Sequence, residues 1–538
     1  MKSLLLIEWG FLLYKMNKEQ TLNKIDLLNR RNILDSKDKS FVNNLFRSRK
    51  KLNANHYKVL SFICEKHIPK KKKREVKKYT KPIVKYEPKF PKALSDILRT
   101  YQKEGVGFLE NFNGNGLLAD EMGLGKSIQA IAYCMLHPED IPVIIVCPAS
   151  LKINWQREIY KWSKQKAFII NGTKCTGKLS HKINIINYDI VEKRSKDILS
   201  IQPKIIIMDE SHKIKNWRAK RTKAITRLCK KIPKRIFLSG SPIENRPSEI
   251  WTTINILSDG RWTFPNFMEQ FCNPELQRYG WSYNGATNLD KLNYVLLKYY
   301  MIQRYKKDVL KELPAKQYTE LFIQIDNQVK YDKAENDFRT YFKDNVRALN
   351  KRDMLAETML KLNELQKIAI EGKMKMAIDW IEDFLEQKKQ IVIFTNHIQP
   401  LKDLRTHFGK DIEFIFGGTN AIDRDKSVTK FQSGKLKIIA GNSAMAEGLT
   451  LTSASDMLFL EFPYSPLQQL QREDRIHRIS QTERVNIYKM IAGDTVDENI
   501  LAMQRRKHSV INKTMQGINS GGKKDMDLIM EGILNRKK

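Results

Sequence analysis

The segment Asp120-Glu121-Met122-Gly123-Leu124-Gly125-Lys126-Ser127 follows a short apolar run, Leu117-Leu118-Ala119, and precedes the helical stretch Ile128-Gln129-Ala130-Ile131-Ala132. Phosphate binding at a strand-to-helix turn needs glycines that let backbone N–H groups turn inward, a Lys for the terminal phosphates and a hydroxyl for Mg2+. Gly123, Gly125, Lys126 and Ser127 supply all three. The first position of the strict pattern holds Asp120 instead of Gly, so on this motif alone an ordinary strand-to-helix turn stays open.

Working outward, short β-branched runs alternate with helical stretches, which predicts βαβ units and a parallel sheet. The runs are Val143-Ile144-Ile145-Val146, Phe168-Ile169-Ile170, Ile183-Asn184-Ile185-Ile186, Ile205-Ile206-Ile207-Met208 and Arg235-Ile236-Phe237-Leu238. In such sheets ligands gather at the carboxyl ends of the strands. One of those ends delivers two adjacent carboxylates, Asp209 and Glu210, followed by Ser211-His212. One carboxylate can position Mg2+ and its neighbour can orient and deprotonate an attacking water. Asp-Glu alone is a common surface turn, but it is an improbable one about 80 residues after a Gly-x-Gly-Lys-Ser loop.

A mostly helical middle, residues 245–375, leads to a second alternating block with Gln390-Ile391-Val392-Ile393-Phe394-Thr395 and Leu436-Lys437-Ile438-Ile439-Ala440. This block has no second phosphate loop and ends in Gln471-Arg472-Glu473-Asp474-Arg475-Ile476-His477-Arg478-Ile479-Ser480-Gln481. Gln471, Arg475 and Arg478 recur at three- and four-residue spacing, so one helical face can present two guanidiniums. Alone that is a solvated basic face; opposite a phosphate site it reads as a pair that stabilises charge on a transferring phosphoryl group.

The 538 residues carry 96 Lys and Arg against 60 Asp and Glu, a formal charge of +36. Residues 1–95 hold 25 of the cations and only 8 of the acids. The densest part, Lys70-Lys71-Lys72-Lys73-Arg74 onward, interleaves Pro82, Pro88 and Pro91 with Tyr79 and Tyr86, and predicts an extended linker that gains affinity for polyanions by counterion release. A solvated spacer and a nuclear-import signal are its other readings. Ser40 to Lys66 predicts two short amphipathic helices, one carrying Phe41, Leu45 and Phe46, the other Tyr57, Leu60, Ile63 and Cys64, a module that docks on the main body or holds a protein partner. Residues 1–15 read as an over-extended start or a loose tail, with Met16 opening a polar start. The six cysteines are scattered without zinc spacing, which predicts a reducing compartment and no structural metal. No run of about eighteen uncharged apolar residues occurs, so no membrane-spanning helix is expected. The expected segments are a helical module (1–68), a basic Pro-containing linker (69–95), a first α/β lobe (96–245), helical insertions and an inter-lobe region (246–375), a second α/β lobe (376–515) and a basic tail (516–538).

Together these residues resemble the superfamily 2 helicase-like ATPases of the Swi/Snf type, from Leu98-Arg99-Thr100-Tyr101-Gln102 to about Asn499. The resemblance implies two RecA-like lobes closing on one ATP with Mg2+, and duplex DNA tracking across both. It assigns Gln102 to adenine, Lys126 and Ser127 to the phosphates and Mg2+, Asp209 to the metal and Glu210 to the water. Ser239-Gly240-Ser241-Pro242 would couple hydrolysis to closure, Arg475 and Arg478 would reach in from the second lobe, and Asp120, Gly448 and Gln471 complete the nucleotide site. Lys152, Asn154, His397 and Gly418 are the candidate nucleic-acid contacts. Within the family the chain is similar to the annealing-helicase, HARP-type fork remodelers, through Pro148-Ala149-Ser150-Leu151 with Asn154-Trp155, Gly448-Leu449-Thr450-Leu451-Thr452-Ser453-Ala454, Gln471 to Gln481, and Val485-Asn486-Ile487-Tyr488 leading to Gly493-Asp494-Thr495-Val496-Asp497. It departs in Ser241 for Thr and in Met445-Ala446-Glu447 before Gly448. The expectation is a DNA-dependent ATPase that translocates on duplex or branched DNA and remodels or rewinds it. The alternatives are a protein-displacing or chromatin-type translocase and a non-enzymatic, nucleotide-gated clamp. RNA is the less favoured track. The expected location is cytoplasmic for a bacterial or phage protein and nuclear for a eukaryotic one.

Overall fold

A computed structural model describes residues 36–47, 56, 59, 60, 63, 90–174, 179, 182–244, 246–277, 280–345, 351–387, 390–446 and 448–515. The start of the chain, most of the basic linker, Cys64, Cys175, Glu447 and the basic tail lie outside them. The chain divides into two compact units, residues 1–78 with 275–282, and residues 79–274 with 283–538.

In the smaller unit Ser36–Arg47 is helical and buries Val42, while Phe41, expected on the apolar face, is 37% exposed. His56, Val59, Leu60 and Ile63 are helical, with Leu60 and Ile63 buried.

The larger unit holds two parallel sheets flanked by helices. The strands β1 (Asn115–Leu118), β2 (Val143–Cys147), β3 (Phe168–Ile169), β4 (Ile183–Asn187), β5 (Ile205–Met208) and β6 (Lys234–Leu238) belong to the first. A hairpin, β7 (Glu275–Gln277) with β8 (Gly280–Ser282), falls in the smaller unit. β9 (Met301–Ile302) completes the first sheet in the order β3-β4-β2-β5-β6-β1-β9. The second sheet comprises β10 (Lys316–Ile323), β11 (Ile391–Phe394), β12 (Ile412–Ile415), β13 (Ile438–Gly441), β14 (Asp456–Phe459) and β15 (Val485–Ala492), in the order β10-β15-β14-β11-β13-β12. The expected α/β class with two lobes is what the chain adopts. The stretch 246–375, read as helical, also gives a strand to each sheet, β9 and β10.

The inner strands read as unbroken apolar runs because helices cover both faces of a parallel sheet. Successive side chains of β2 and β5 alternate between two cores. Ile144, Val146, Ile206 and Met208 pack in one, with Leu228 and Phe267; Val143, Ile145, Ile205 and Ile207 pack in the other, with Trp155 and Phe108. The second sheet repeats the arrangement, Val392 and Phe394 facing one core and Ile391 and Ile393 the other. Among the described residues no helix is long and apolar enough to cross a membrane.

The strand order positions the candidate chemistry. β5, β6, β1 and β9 are successive neighbours, so the segments leaving their carboxyl ends, at Asp209, Ser239, Asp120 and Gln303, emerge side by side.

Candidate nucleotide site and inter-lobe cleft

The phosphate loop is built on two left-handed glycines. Gly123 has φ +83° and Gly125 φ +76°, and Gly125 caps the helix Lys126–Leu136. A Cβ at Gly125 would stand 2.5 Å from Gln102 Nε2, so the loop needs glycine for space as well as for backbone. Gln102 is buried; its Nε2 donates to the Leu124 carbonyl at 3.2 Å, and its Oε1 accepts from Arg99 N at 3.0 Å. Lys126 Nζ donates to the carbonyls of Asp120 (2.8 Å) and Glu121 (3.4 Å). Burial pushes its ammonium below the ordinary lysine value, against the pull of Glu210, Asp120 and Asp209. Asp120 is fully buried. Its carboxylate accepts from Arg304 Nε at 2.9 Å and Gln129 Nε2 at 3.0 Å, so its side chain braces the loop from beneath instead of facing a ligand.

At the end of β5, Asp209 Oδ2 accepts from Trp155 Nε1 at 2.8 Å and Oδ1 from Glu210 N at 3.0 Å. Burial, with the adjacent Glu210 charge, pushes the Asp209 carboxyl up to about 7. Glu210 turns out of the strand with φ +52°, and its Oε2 is buried without a hydrogen bond, 3.3 Å from His212 Nδ1. His212 Nδ1 also lies 3.4 Å from Ser239 Oγ, which accepts from Ser241 N at 3.2 Å. A Cβ at Gly240 would stand 3.4 Å from Lys126 Nζ, so the Ser239–Pro242 turn borders the loop.

From the second lobe, Arg478 reaches this edge. A Cβ on Gly123 would lie 3.4 Å from Arg478 Cγ, and Arg478 Nη1 donates to Thr450 Oγ1 at 2.8 Å. Burial, then the Arg475 charge, pushes its guanidinium down to about 9. Arg475 is turned to its own lobe, donating to the carbonyls of Gln471 (3.0 Å) and Leu449 (3.3 Å).

The loop that receives both arginines also lines a cavity of about 1090 Å³ between the two sheets' loops. Gly448, Leu449 and Thr450 meet Asn154, Arg157 and Arg221 of the first lobe and Thr419 and Arg424 of the second around it. Arg157 and Asp425 form a two-bond ion pair across the lobes, with Nη2 to Oδ2 at 2.8 Å. Gly448, at φ +72°, approaches Leu151 so closely that a Cβ would overlap Leu151 Cδ2.

A family model for the SNF2-related domain matches residues 101–374, just over half of the chain, and one for the helicase conserved C-terminal domain matches 372–480. The chain belongs to the SNF2-related family. This SNF2-related chain is 32% identical over 438 residues to the SWI/SNF-related matrix-associated actin-dependent regulator of chromatin subfamily A-like protein 1 of Xenopus tropicalis, covering 78% of this chain and 45% of that one. It is 31% identical over 458 residues to the human DNA annealing helicase and endonuclease ZRANB3, covering 79% and 41%. It therefore spans less than half the length of these curated relatives. It is similar to the solved Sulfolobus solfataricus SWI2/SNF2 ATPase core in complex with dsDNA, at 25% identity and a TM-score of 0.39, over 81% of this chain and 95% of that one. The Swi/Snf resemblance read from the motifs holds, as does its leaning towards annealing helicases.

In this SNF2-related chain Gln102, Gly123, Gly125, Lys126, Asp209, Glu210 and Arg478 gather at one edge, and Ser127 follows in the first turn of the loop's helix. Gln471 contributes its carbonyl to Arg475, and Gly448 sits at the cleft. Of the four candidate nucleic-acid contacts, Asn154 lines the cleft and Gly418 lies between its lining neighbours Gly417 and Thr419. Lys152 and His397 are not among the lining residues: Lys152 Nζ donates to Asn171 Oδ1 at 2.6 Å, and His397 Nδ1 lies 2.6 Å from Glu461 Oε1. The motifs missed Arg157, Arg221 and Arg424, single cations in a basic chain that no spacing marks out.

Proposed function

We propose that this protein is a DNA-dependent ATPase that translocates on double-stranded or branched DNA and rewinds or remodels it, using ATP and Mg2+. The observation that carries the reading is the double face of loop 448–450. One side lines the cleft; the other accepts Arg475 and Arg478, so what fills the cleft and where the arginines stand depend on the same loop.

The donor set suits the nucleotide and its cation. Asp209 and Ser127 offer the oxygen atoms that a hard divalent cation prefers and would hold it, and Glu210 Oε2, buried without a hydrogen bond and 3.3 Å from His212 Nδ1, is an acceptor that a water could use. Bound Mg2+ and ATP supply the electrophilic phosphoryl group and neutralise its charge. Lys126 would exchange the Asp120 and Glu121 carbonyls for phosphate oxygens, Gln102 would hold the base, and Glu210 would orient a water and accept its proton. Arg478, with Arg475 behind it, would stabilise charge on the transferring group. The cleft grips phosphates through Asn154, Arg221 and Thr419 without reading bases. The likeness to the human DNA annealing helicase and endonuclease ZRANB3 supports rewinding as the outcome of movement.

The test is steady-state ATP hydrolysis without nucleic acid and with single-stranded DNA, blunt duplex, a model fork and RNA, each at two salt concentrations. Many-fold stimulation by duplex or fork, suppressed by salt, is expected. An equal trace of activity on every track would overturn the reading and leave the nucleotide-gated clamp.

A further inference from the structure

The chain passes from the first sheet to the second between Ile302, the end of β9, and Lys316, the start of β10. Because β9 neighbours β1, residues 303–306 emerge beside the phosphate loop. Arg304 is fastened there on several sides. Nε donates to Asp120 Oδ1 and Nη2 to Gln129 Oε1, both at 2.9 Å, Nη1 donates to the Tyr101 carbonyl, and the Arg304 carbonyl accepts from Glu121 N at 2.9 Å. Two residues on, Lys306 N donates to Glu121 Oε2 at 2.7 Å.

The Lys306 side chain then leaves the first lobe. It is 5% exposed; Nζ lies 2.8 Å from Asp474 Oδ1 and donates to the His477 carbonyl, also at 2.8 Å. Asp474 and His477 are the residues immediately before Arg475 and Arg478. The Asp474 carbonyl in turn accepts from Arg478 Nε at 2.9 Å. A Cβ on Gly123 would stand 3.4 Å from Lys306 Cε and from Arg478 Cγ alike, so the lysine and the arginine lie against the same turn of the phosphate loop.

We infer that Lys306 is a positioning residue for the arginine pair, a strut that runs from the phosphate loop to the backbone carrying Arg475 and Arg478. An ammonium with one carboxylate and one carbonyl in a buried site has a fixed place, and a guanidinium acts on a developing charge only from a fixed place. Lys316 backs the arrangement from the start of β10, with Nζ 3.0 Å from both Glu473 Oε2 and Asp474 Oδ1. Removing the Lys306 ammonium leaves Asp474 held by Lys316 alone and frees the His477 carbonyl, so the arginine segment loses its register on the loop while every nucleotide-contacting group remains. The inference rests on the reading of Arg475 and Arg478 as the groups that stabilise the transferring phosphoryl charge.

A strut and a merely stabilising ion pair differ in epistasis. Hydrolysis at saturating duplex DNA would be measured for wild type, Lys306→Met, Lys306→Arg, Arg478→Ala and the Lys306→Met/Arg478→Ala double variant, with fluorescent ADP binding and thermal melts alongside. Lys306→Met is expected to lower kcat by about 10- to 100-fold with ADP affinity held within about 3-fold, and Lys306→Arg to recover part of the loss. In the Arg478→Ala background the same change is expected to cost several-fold less than in the wild type, because only the route through Arg475 is left for it to act on. Equal losses in both backgrounds, or a wild-type kcat for Lys306→Met, would overturn the inference. Should Lys306→Met fail to fold, Asp474→Asn enters the same cycle and is read the same way. Wild-type protein without DNA-stimulated hydrolysis would sink the functional reading and this inference with it; normal stimulation without epistasis would sink the inference alone.

Discussion

Glu210 and Gly125 both sit at φ > 0, one leaving a strand and one entering a helix, and the requirement differs between them. For Glu210 the left-handed turn swings a carboxylate off the end of β5 without disturbing Asp209, whose contacts to Trp155 and Tyr188 are independent of the Glu210 side chain. Glu210→Gln keeps the shape and removes the carboxylate proposed as the base. ATP turnover with DNA is expected to fall by about 100-fold or more while nucleotide binding persists, checked by hydrolysis beside a fluorescent-nucleotide titration. Gly125 meets a double constraint, since any Cβ is strained at φ +76° and stands 2.5 Å from Gln102 Nε2. The left-handed backbone alone costs about 1–2 kcal/mol with a side chain, and the Gln102 contact to Leu124 must shift as well. Gly125→Ala is expected to weaken nucleotide binding by about 10-fold or more, measured by calorimetry.

At the scale of elements, the carboxyl ends of β11 and β14 are pinned by one buried acid. Glu461, just past β14, accepts from Thr395 Oγ1, from Asn396 N at 2.8 Å and from His397 N at 3.0 Å, and pairs with His397 Nδ1 at 2.6 Å. The hydrogen bond to Glu461 raises the His397 pKa, against burial. A raised histidine contributes stability that is fully present below its unfolded value, about 6.5, and lost as pH rises through the folded one. The melting temperature of wild type should therefore exceed that of His397→Asn by more at pH 6 than at pH 8.5, read by thermal melts at matched ionic strength. The strands that carry these sites were legible because a doubly covered parallel strand leaves an apolar run in the sequence. β9 was not, because two residues, Met301-Ile302, have no period to show; β10 alternates exposed and half-buried residues at a sheet edge, a weaker mark within a helical stretch. The phosphate loop and Asp209-Glu210 were legible because their chemistry is local in sequence. Arg304 and Lys306 were not, since Arg304 meets Asp120 only through the pairing of β9 with β1 and Lys306 meets Asp474 only across the lobes. The same distance explains Asp120, which reads as a flaw in a phosphate loop until Arg304 is seen beneath it.

Across the whole molecule, a charge of +36 favours contact with polyanions in general, and on the proposed reading the cleft is where DNA is held. Two of its charged features should respond in opposite directions. Arg221 is exposed and lines the cleft; if DNA lies there as proposed, removing it takes away one phosphate contact and one released counterion. Arg221→Ala should weaken duplex binding similarly for all sequences and flatten the slope of log K against log salt by about 1. Arg157, by contrast, is already paired with Asp425 across the lobes, and an exposed ion pair of this kind holds its partner only weakly. If the pair merely occupies a guanidinium that DNA could use, Asp425→Asn releases Arg157 to phosphate, and affinity at low salt rises by about 2- to 5-fold with a steeper salt slope. If the pair holds the cleft in a closed form that DNA requires, the same substitution lowers affinity at every salt concentration. The geometry favours the first outcome, because Gly448 against Leu151 and Lys306 against Asp474 already join the lobes without that pair. Fluorescence anisotropy of a labelled duplex over a salt series, for wild type and the two variants, reads both slopes in one experiment.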